Sequence, residues 1–416
     1  MSFEYRDGRL FAEDVPLEEI AARHGTPCYV YSRHAIESAY AEFATAAAGR
    51  DVLICYAVKA NSNLAILSLL ARLGAGFDIV SGGELARVLA AGGDPAKVVF
   101  SGVGKSEADM RLALKAGVMC FNVESEPELE RLDAVARSMG LQAPVSLRVN
   151  PDVDARTHPY ISTGLKQNKF GIAYADAPRV YRKAATLPGL KVKGVDVHIG
   201  SQITETRPFV NALHKVLEFA DVLDATGIPL EHIDLGGGLG IRYRDEQPPR
   251  IAEYLGAMFA ALGKTGQRIL LEPGRALVGN AGILLTRIEY LKQGEAKNFA
   301  IVDAAMNDLI RPALYEAWHD VLPVKQATPD ARSPVYDVVG PVCETGDFLA
   351  QERTLAVQPG DLLAVMSAGA YGMVMSSNYN SRPRVAEVLV SGNRMHLARK
   401  RETTEELYAQ ESVPSW

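Results

Sequence analysis

The chain has 416 residues, of which 48% are hydrophobic and 23% charged, and carries a net charge of −6. That length predicts about two or three domains, and the acidic balance without any basic run excludes a nucleic-acid partner. No apolar stretch is long enough to span a bilayer. Cys28, Cys55, Cys120 and Cys343 lie far apart with no C-x-x-C pair, so neither a zinc cluster nor a disulfide framework is expected, and no metal. Glu4, Arg6, Asp7 and Arg9 stand where a secretory leader would be apolar, so the chain reads as a soluble cytoplasmic protein.

Residues 1–30 read as short strands and turns, with Gly25-Thr26-Pro27 ahead of the β-rich run Cys28-Tyr29-Val30-Tyr31. Over 31–277, apolar runs at 52–58, 77–80, 98–101, 119–123, 145–149, 192–199, 233–235 and 268–271 alternate with segments of helical spacing. Leu67, Leu70 and Ala71 share one helical face, Leu85, Val88 and Leu89 a second, and Phe209, Leu213, Val216, Leu217 and Ala220 a third. Eight strands alternating with helices over roughly 250 residues predict an α/β fold, a (β/α)8 barrel. An open doubly wound sheet is the alternative, but its G-x-G-x-x-G fingerprint is missing after the first strand. Beyond 278 the runs at 283–291, 299–302, 335–339, 362–365 and 385–390 lack regular helical segments between them. They predict a mostly antiparallel β-sheet domain, sandwich- or barrel-like, over 278–416 that also takes in residues 1–30. The polar tail after Arg399 predicts a short helix with a frayed end.

Active sites of parallel barrels collect where the strands leave the sheet. There the first strand offers Lys59, in Tyr56-Ala57-Val58-Lys59-Ala60-Asn61. A lysine buried beside apolar neighbours loses charge and becomes a nucleophile toward carbonyls; an ordinary solvated lysine is the bland alternative. The other strand ends offer Asp78 and Ser81, Ser101, Arg148 and Asn150, then His198, Gly200, Ser201 and Gln202. The last two offer Gly236-Gly237-Gly238 and Glu272-Pro273-Gly274-Arg275. Caps and turns account for Asp78, Ser81 and some glycines, but not for the rest. The loops after strands seven and eight are where barrels most often hold phosphate. A triple glycine lets backbone N–H groups approach an anion, and Arg275 adds a cation. A reactive lysine and a phosphate cradle in one barrel mouth point to pyridoxal 5′-phosphate, whose pyridine nitrogen needs a carboxylate partner. Glu272 is the candidate partner, and His198 can supply a face for the ring.

These stretches together resemble the alanine-racemase-like barrel family of pyridoxal-phosphate enzymes, which includes ornithine, arginine and diaminopimelate decarboxylases. Residues 160–171 (YISTGLKQNKFG), Cys343-Glu344-Thr345-Gly346-Asp347 and Gly369-Ala370-Tyr371 are similar to signatures of the diaminopimelate decarboxylases, with Thr345 where serine is commoner. The resemblance covers about residues 25 to 390. It implies that Lys59 holds the cofactor's aldehyde, that Ser201, Gly237, Gly274, Arg275 and Tyr371 bind its phosphate, and that Glu272, followed by Pro273, faces its ring nitrogen and His198 its ring. It also implies that Cys343 donates a proton after decarboxylation, from the neighbouring subunit of a homodimer with shared active sites. A glutamate rather than an arginine at the ring nitrogen favours decarboxylation over racemisation.

The far end of diaminopimelate is itself an amino acid. Arg275, Arg311, Tyr315 and Tyr371 are expected around that substrate, with Arg311 as a bidentate fork for the distal carboxylate and Glu344 for the ammonium. From residues alone, Arg311 and Tyr315 also read as a surface helix start. Rival readings are a decarboxylase of ornithine, arginine or a polyamine precursor, and a cofactor-binding regulator that has lost catalysis. The glycines and Lys169 of 160–171 suit a mobile lid.

Overall fold

The computed structural model describes residues 2–153 and 169–416; the lid expected at 160–171 lies outside it up to residue 168. The chain divides into two compact units. One comprises Ala39–Arg242 and Glu246–Leu277, the other Met1–Ser38, Tyr243–Asp245 and Val278–Trp416.

The first unit is the barrel. Its strands are β1 (Val52–Ala57), β2 (Gly76–Ile79), β3 (Val98–Phe100), β4 (Cys120–Val123), β5 (Ala143–Asn150), β6 (Leu190–Asp196), β7 (His232–Asp234) and β8 (Arg268–Leu271). Each pairs in parallel with the next, and β8 pairs with β1 to close the ring. Apolar spacing sets the helices between them, and in several of them a side-chain cap agrees with it. Asn63 caps Leu64–Arg72 through the Ala65 N–H, and that helix buries Ile66, Leu67, Leu69 and Leu70. Ser81 caps Gly82–Ala90, which buries Leu85 and Val88. Leu89 leaves its predicted face and is 39% exposed, because the next residue along a helix points about 100° away from Val88. Arg207–Ala225 buries Phe209, Leu213, Val216 and Ala220, each large side chain contributing about 1.5–3 kcal/mol by leaving water.

The second unit is a mixed sheet with a three-stranded N-terminal sheet of its own. Its strand order is Phe348–Thr354, Val335–Val339, Asn298–Val302, Gly282–Gln293, Cys28–Ser32, Ala386–Ser391 and Arg394–Arg399. Pairing is antiparallel except between Asn298–Val302 and Val335–Val339 and between Cys28–Ser32 and Ala386–Ser391. Cys28–Ser32 is central rather than peripheral, and every residue of it is buried. Within residues 1–30 the sequence expectation missed the helix Leu17–His24, whose buried Leu17, Ile20 and Ala21 mark its inner face. The tail does form a short helix, Thr404–Tyr408.

Candidate active site

Lys59 leaves β1 in a single helical turn, but its surroundings differ from those expected. Its amine lies 2.6 Å from Asp78 Oδ2 in an ion pair, and its side chain is 36% exposed against 0% for Asp78. A buried carboxylate thus holds the lysine in place, where apolar neighbours alone had been expected. Asp78 was assigned to capping, yet it lies inside β2, opposite Ala57, and pairs with the lysine in the turn that follows β1.

Below this pair sits an acidic floor that the sequence reading passed over. Asp196 and Asp234 face each other in register on β6 and β7, and the Glu272 N–H donates to Gly236 O at 2.7 Å. Carboxylate oxygens of Asp196, Asp234 and Glu272 all lie within 4.8 Å of one another, and all three residues are buried. Burial raises each of them first; repulsion from Asp234 adds to it for Asp196 and Glu272, and repulsion from Asp78 adds to it for Asp234, which a hydrogen bond with Glu272 partly offsets. Asp234 is pushed up to about 6 although the Gly236 N–H (2.9 Å) favours its anion. Asp196 and Glu272 rise well above the carboxylate range. Glu272 therefore keeps its proton far past the pH at which an exposed glutamate gives it up, and its buried Oε1 has no hydrogen-bond partner.

His198 follows β6. Its Nδ1 accepts the Gly237 N–H at 3.2 Å, which leaves its proton on Nε2. Burial, with the charges of Arg148 and Lys59, holds its pKa well below the usual imidazole value. The ring is neutral, and its place is fixed from the β7 loop. Behind it Arg148 pairs with Glu124 at 3.0 Å and donates to His198 O at 3.4 Å.

The glycine loop is required by space. A Cβ on Gly237 would collide with the Glu272 carbonyl, and one on Gly236 would come within 2.6 Å of Val197 O. Gly236 also has φ +64°. Next to it, Arg275 Nη2 donates to Ser201 Oγ at 3.1 Å, joining the ends of β6 and β8. A Cβ on Gly274 would press on Ala60 and Ala57 at 3.0 and 3.1 Å, and the Ala57 N–H donates to Pro273 O at 3.1 Å. The β8 loop is thus knitted to the start of the Lys59 turn.

Lys59, His198, Ser201, Gly237, Glu272, Pro273, Gly274 and Arg275 all belong to the barrel unit. Tyr371, Cys343, Glu344, Arg311 and Tyr315 belong to the second unit. Tyr371 takes φ +56° after Gly369, where a Cβ would overlap Val278 O. Cys343 is exposed, and its N–H donates to Asn380 Oδ1 at 3.1 Å. Its loop is pinned by the Asp347 carboxylate, which accepts the Met306 and Val342 N–H groups at 2.6 and 2.7 Å. Glu344 in the same loop is exposed and takes the Tyr379 hydroxyl. Arg311 and Tyr315 bound the short helix Arg311–Tyr315. Arg311 is buried, which overturns the surface reading of it, whereas Tyr315 is half-buried.

The barrel site fits pyridoxal 5′-phosphate on its own geometry. A lysine stands at one strand end, a glycine loop with no room for side chains at another, and between them lies a buried glutamate with an unpartnered oxygen. Residues 33–279 match the model of the pyridoxal-dependent decarboxylases, described as their pyridoxal-binding domain. The diaminopimelate decarboxylase of Pseudomonas aeruginosa is 64% identical over 412 residues, 99% of both chains. The chain belongs to the pyridoxal-dependent decarboxylases. Within them it aligns with diaminopimelate decarboxylases throughout, that of Vibrio cholerae being 59% identical over 99% of both chains. The structure of the Helicobacter pylori diaminopimelate decarboxylase complexed with L-lysine superposes with a TM-score of 0.91 at 44% identity, covering 95% of this chain and 99% of that one. The M. jannaschii enzyme in co-complex with L-lysine gives 0.94 at 38%, covering 99% and 98%. The enzyme is a carboxy-lyase that uses pyridoxal 5′-phosphate, and among the described residues no helix is long and apolar enough to cross a membrane.

Proposed function

We propose that this enzyme decarboxylates meso-2,6-diaminopimelate to L-lysine, as a cytoplasmic homodimer with shared active sites. The observation that carries the reading is the 64% likeness to a diaminopimelate decarboxylase along 99% of both chains, together with a buried arginine, Arg311, of the kind a second carboxylate needs. Bound pyridoxal 5′-phosphate supplies an aldehyde for the substrate amine and a ring that draws off the electron pair left when carbon dioxide departs.

In this reading residues 31–277 hold the cofactor. Lys59 would hold the cofactor's aldehyde, and Asp78, 2.6 Å from the lysine amine, orients that amine. Glu272 holds the proton at the ring nitrogen, while neutral His198 covers the ring face and adds no competing charge. The Gly237 backbone, Ser201, Gly274, Arg275 and Tyr371 take the phosphate. Arg311, Tyr315, Arg275 and Tyr371 surround the distal carboxylate, and Glu344 takes the distal ammonium. Cys343 Sγ, exposed on a pinned loop, delivers the proton to the carbon that has lost its carboxylate.

The test is carbon dioxide release from the holoenzyme offered meso-diaminopimelate, L-lysine, L-ornithine and L-arginine in parallel. Release from meso-diaminopimelate alone, with L-lysine as product, is expected. Release mainly from ornithine or lysine would overturn the substrate. Mixing a Lys59→Ala chain with a Cys343→Ala chain tests the shared site, because random dimers regain about one quarter of full activity.

A further inference from the structure

We infer that His319, with Tyr243, is a positioning residue for Arg311 and thereby decides affinity for the distal carboxylate. The inference rests on the proposed role of Arg311, and its geometry lies within the second unit. Arg311 Nη1 donates to His319 Nε2 at 2.8 Å. The opposite ring nitrogen, Nδ1, lies 2.7 Å from the Met366 carbonyl oxygen, which can only accept. The two contacts together fix the proton on Nδ1 and make Nε2 the acceptor. Tyr243 closes the arrangement from a third side. Its ring lies 4.6 Å below the guanidinium and meets the imidazole edge-on at 5.3 Å and 79°.

All three side chains are buried, His319 completely. A guanidinium is a planar fork, so one hydrogen bond in its plane and one ring against its face remove its rotation and its tilt. Binding a carboxylate then costs little further ordering. The histidine is held in turn: Arg353 Nη2 donates to His319 O at 3.1 Å, and the Arg353 guanidinium lies 3.2 Å from the centre of the Trp318 ring. Tyr243 comes from the three-residue segment Tyr243–Asp245, which belongs to this unit although the chain on either side of it belongs to the barrel.

The test is binding of L-lysine and of 1,5-diaminopentane to the holoenzyme, followed by the change in cofactor absorbance. The two ligands differ only in the carboxylate that Arg311 would take. Arg311→Gln is expected to weaken L-lysine and to leave the diamine unchanged. His319→Leu should weaken L-lysine about ten- to a hundredfold with the diamine again unchanged, and His319→Gln, which restores an acceptor, should recover most of the loss. In turnover the same variants should raise KM for meso-diaminopimelate far more than they lower kcat. If Arg311→Gln leaves L-lysine affinity intact, the distal-carboxylate reading falls, and this inference with it. If Arg311→Gln weakens L-lysine but His319→Leu does not, or if His319→Leu weakens both ligands equally, this inference alone is overturned. Should His319→Leu fail to fold, Tyr243→Leu replaces it with the same expected selectivity and the same refuting outcomes.

Discussion

Replacing Asp234 by asparagine is expected to stabilise the cofactor-free chain at neutral pH. The magnitude follows from the acidic floor, where the Asp234 carboxyl is pushed from an ordinary 3.8 up to about 6 by burial, with the neighbouring Asp78 adding to it. A carboxyl with a raised folded-state value binds its proton more tightly in the native chain than in the unfolded one. Native stability from this group is therefore complete below about pH 4 and is lost as the pH climbs to about 6. At about 1.4 kcal/mol per unit, the native state is about 3 kcal/mol poorer at pH 7 than at pH 4 on account of this one residue. Asparagine removes that cost and keeps an oxygen for the Gly236 N–H. Its new amide group would meet Asn122, whose Nδ2 now donates to Asp234 at 3.4 Å and whose buried Oδ1 lacks a partner. A turn of the Asn122 amide presents that oxygen to the new donor. Urea unfolding of the two cofactor-free proteins, followed by circular dichroism from pH 4 to 8, checks this. The variant should gain about 2–3 kcal/mol at pH 7.5 and little at pH 4. A gap that does not change between pH 4 and 6, or a less stable variant at pH 7.5, would refute the reasoning.

Gly237→Ala should raise the dissociation constant for pyridoxal 5′-phosphate by more than about tenfold, because the added methyl forces the β7 loop off the Glu272 carbonyl; equilibrium dialysis with unchanged affinity would refute it. Cys343→Ala should lose most turnover while cofactor absorbance stays normal, and a near-normal rate would remove the cysteine from the chemistry. His198 should show the chemical shifts of a neutral, Nε2-protonated ring at pH 6 in histidine-labelled protein, since burial and the charges of Arg148 and Lys59 hold its pKa low. A charged ring at that pH would contradict the assignment.

The barrel was legible because most strands contain a short apolar run and the helices carry a buried stripe, several with a side-chain cap ahead of it. The site was legible where chemistry sits in a run, as in Tyr56–Asn61 and Glu272–Arg275. It was illegible where register makes the contact. Asp196 and Asp234 are 38 positions apart in the numbering, and only the pairing of β6 with β7 brings them side by side. A period-2 reading still contained the hint, since Asp196 precedes His198 by two residues and Asp234 precedes Gly236 by two, which puts each pair on one side of an extended chain. Asp78 was lost for the opposite reason: its position near a strand end had a cheaper explanation as a cap. In the second unit, Phe348–Thr354 and Arg394–Arg399 went unnoticed because Gln351, Glu352 and Arg353 interrupt the first and the second is half basic and polar. Such strands are held by ladder pairing rather than by an apolar run.

The central place of Cys28–Ser32 bears on how the molecule is made. Cys28 pairs with Leu285 on one side and Ala386 on the other. A ribosome adding about 5–20 residues per second takes on the order of 20–70 s to span the distance from the first of these to the last. A five-residue strand whose every side chain ends up buried waits with both edges open until residue 285 is made, and with one edge open until residue 386 follows. The barrel's own strands all pair among themselves and can close before the chain is complete, whereas the β-unit cannot. The strand Cys28–Ser32 is thus among the last to be enclosed, and a nascent chain halted anywhere short of residue 386 carries near its start a strand with at least one open edge.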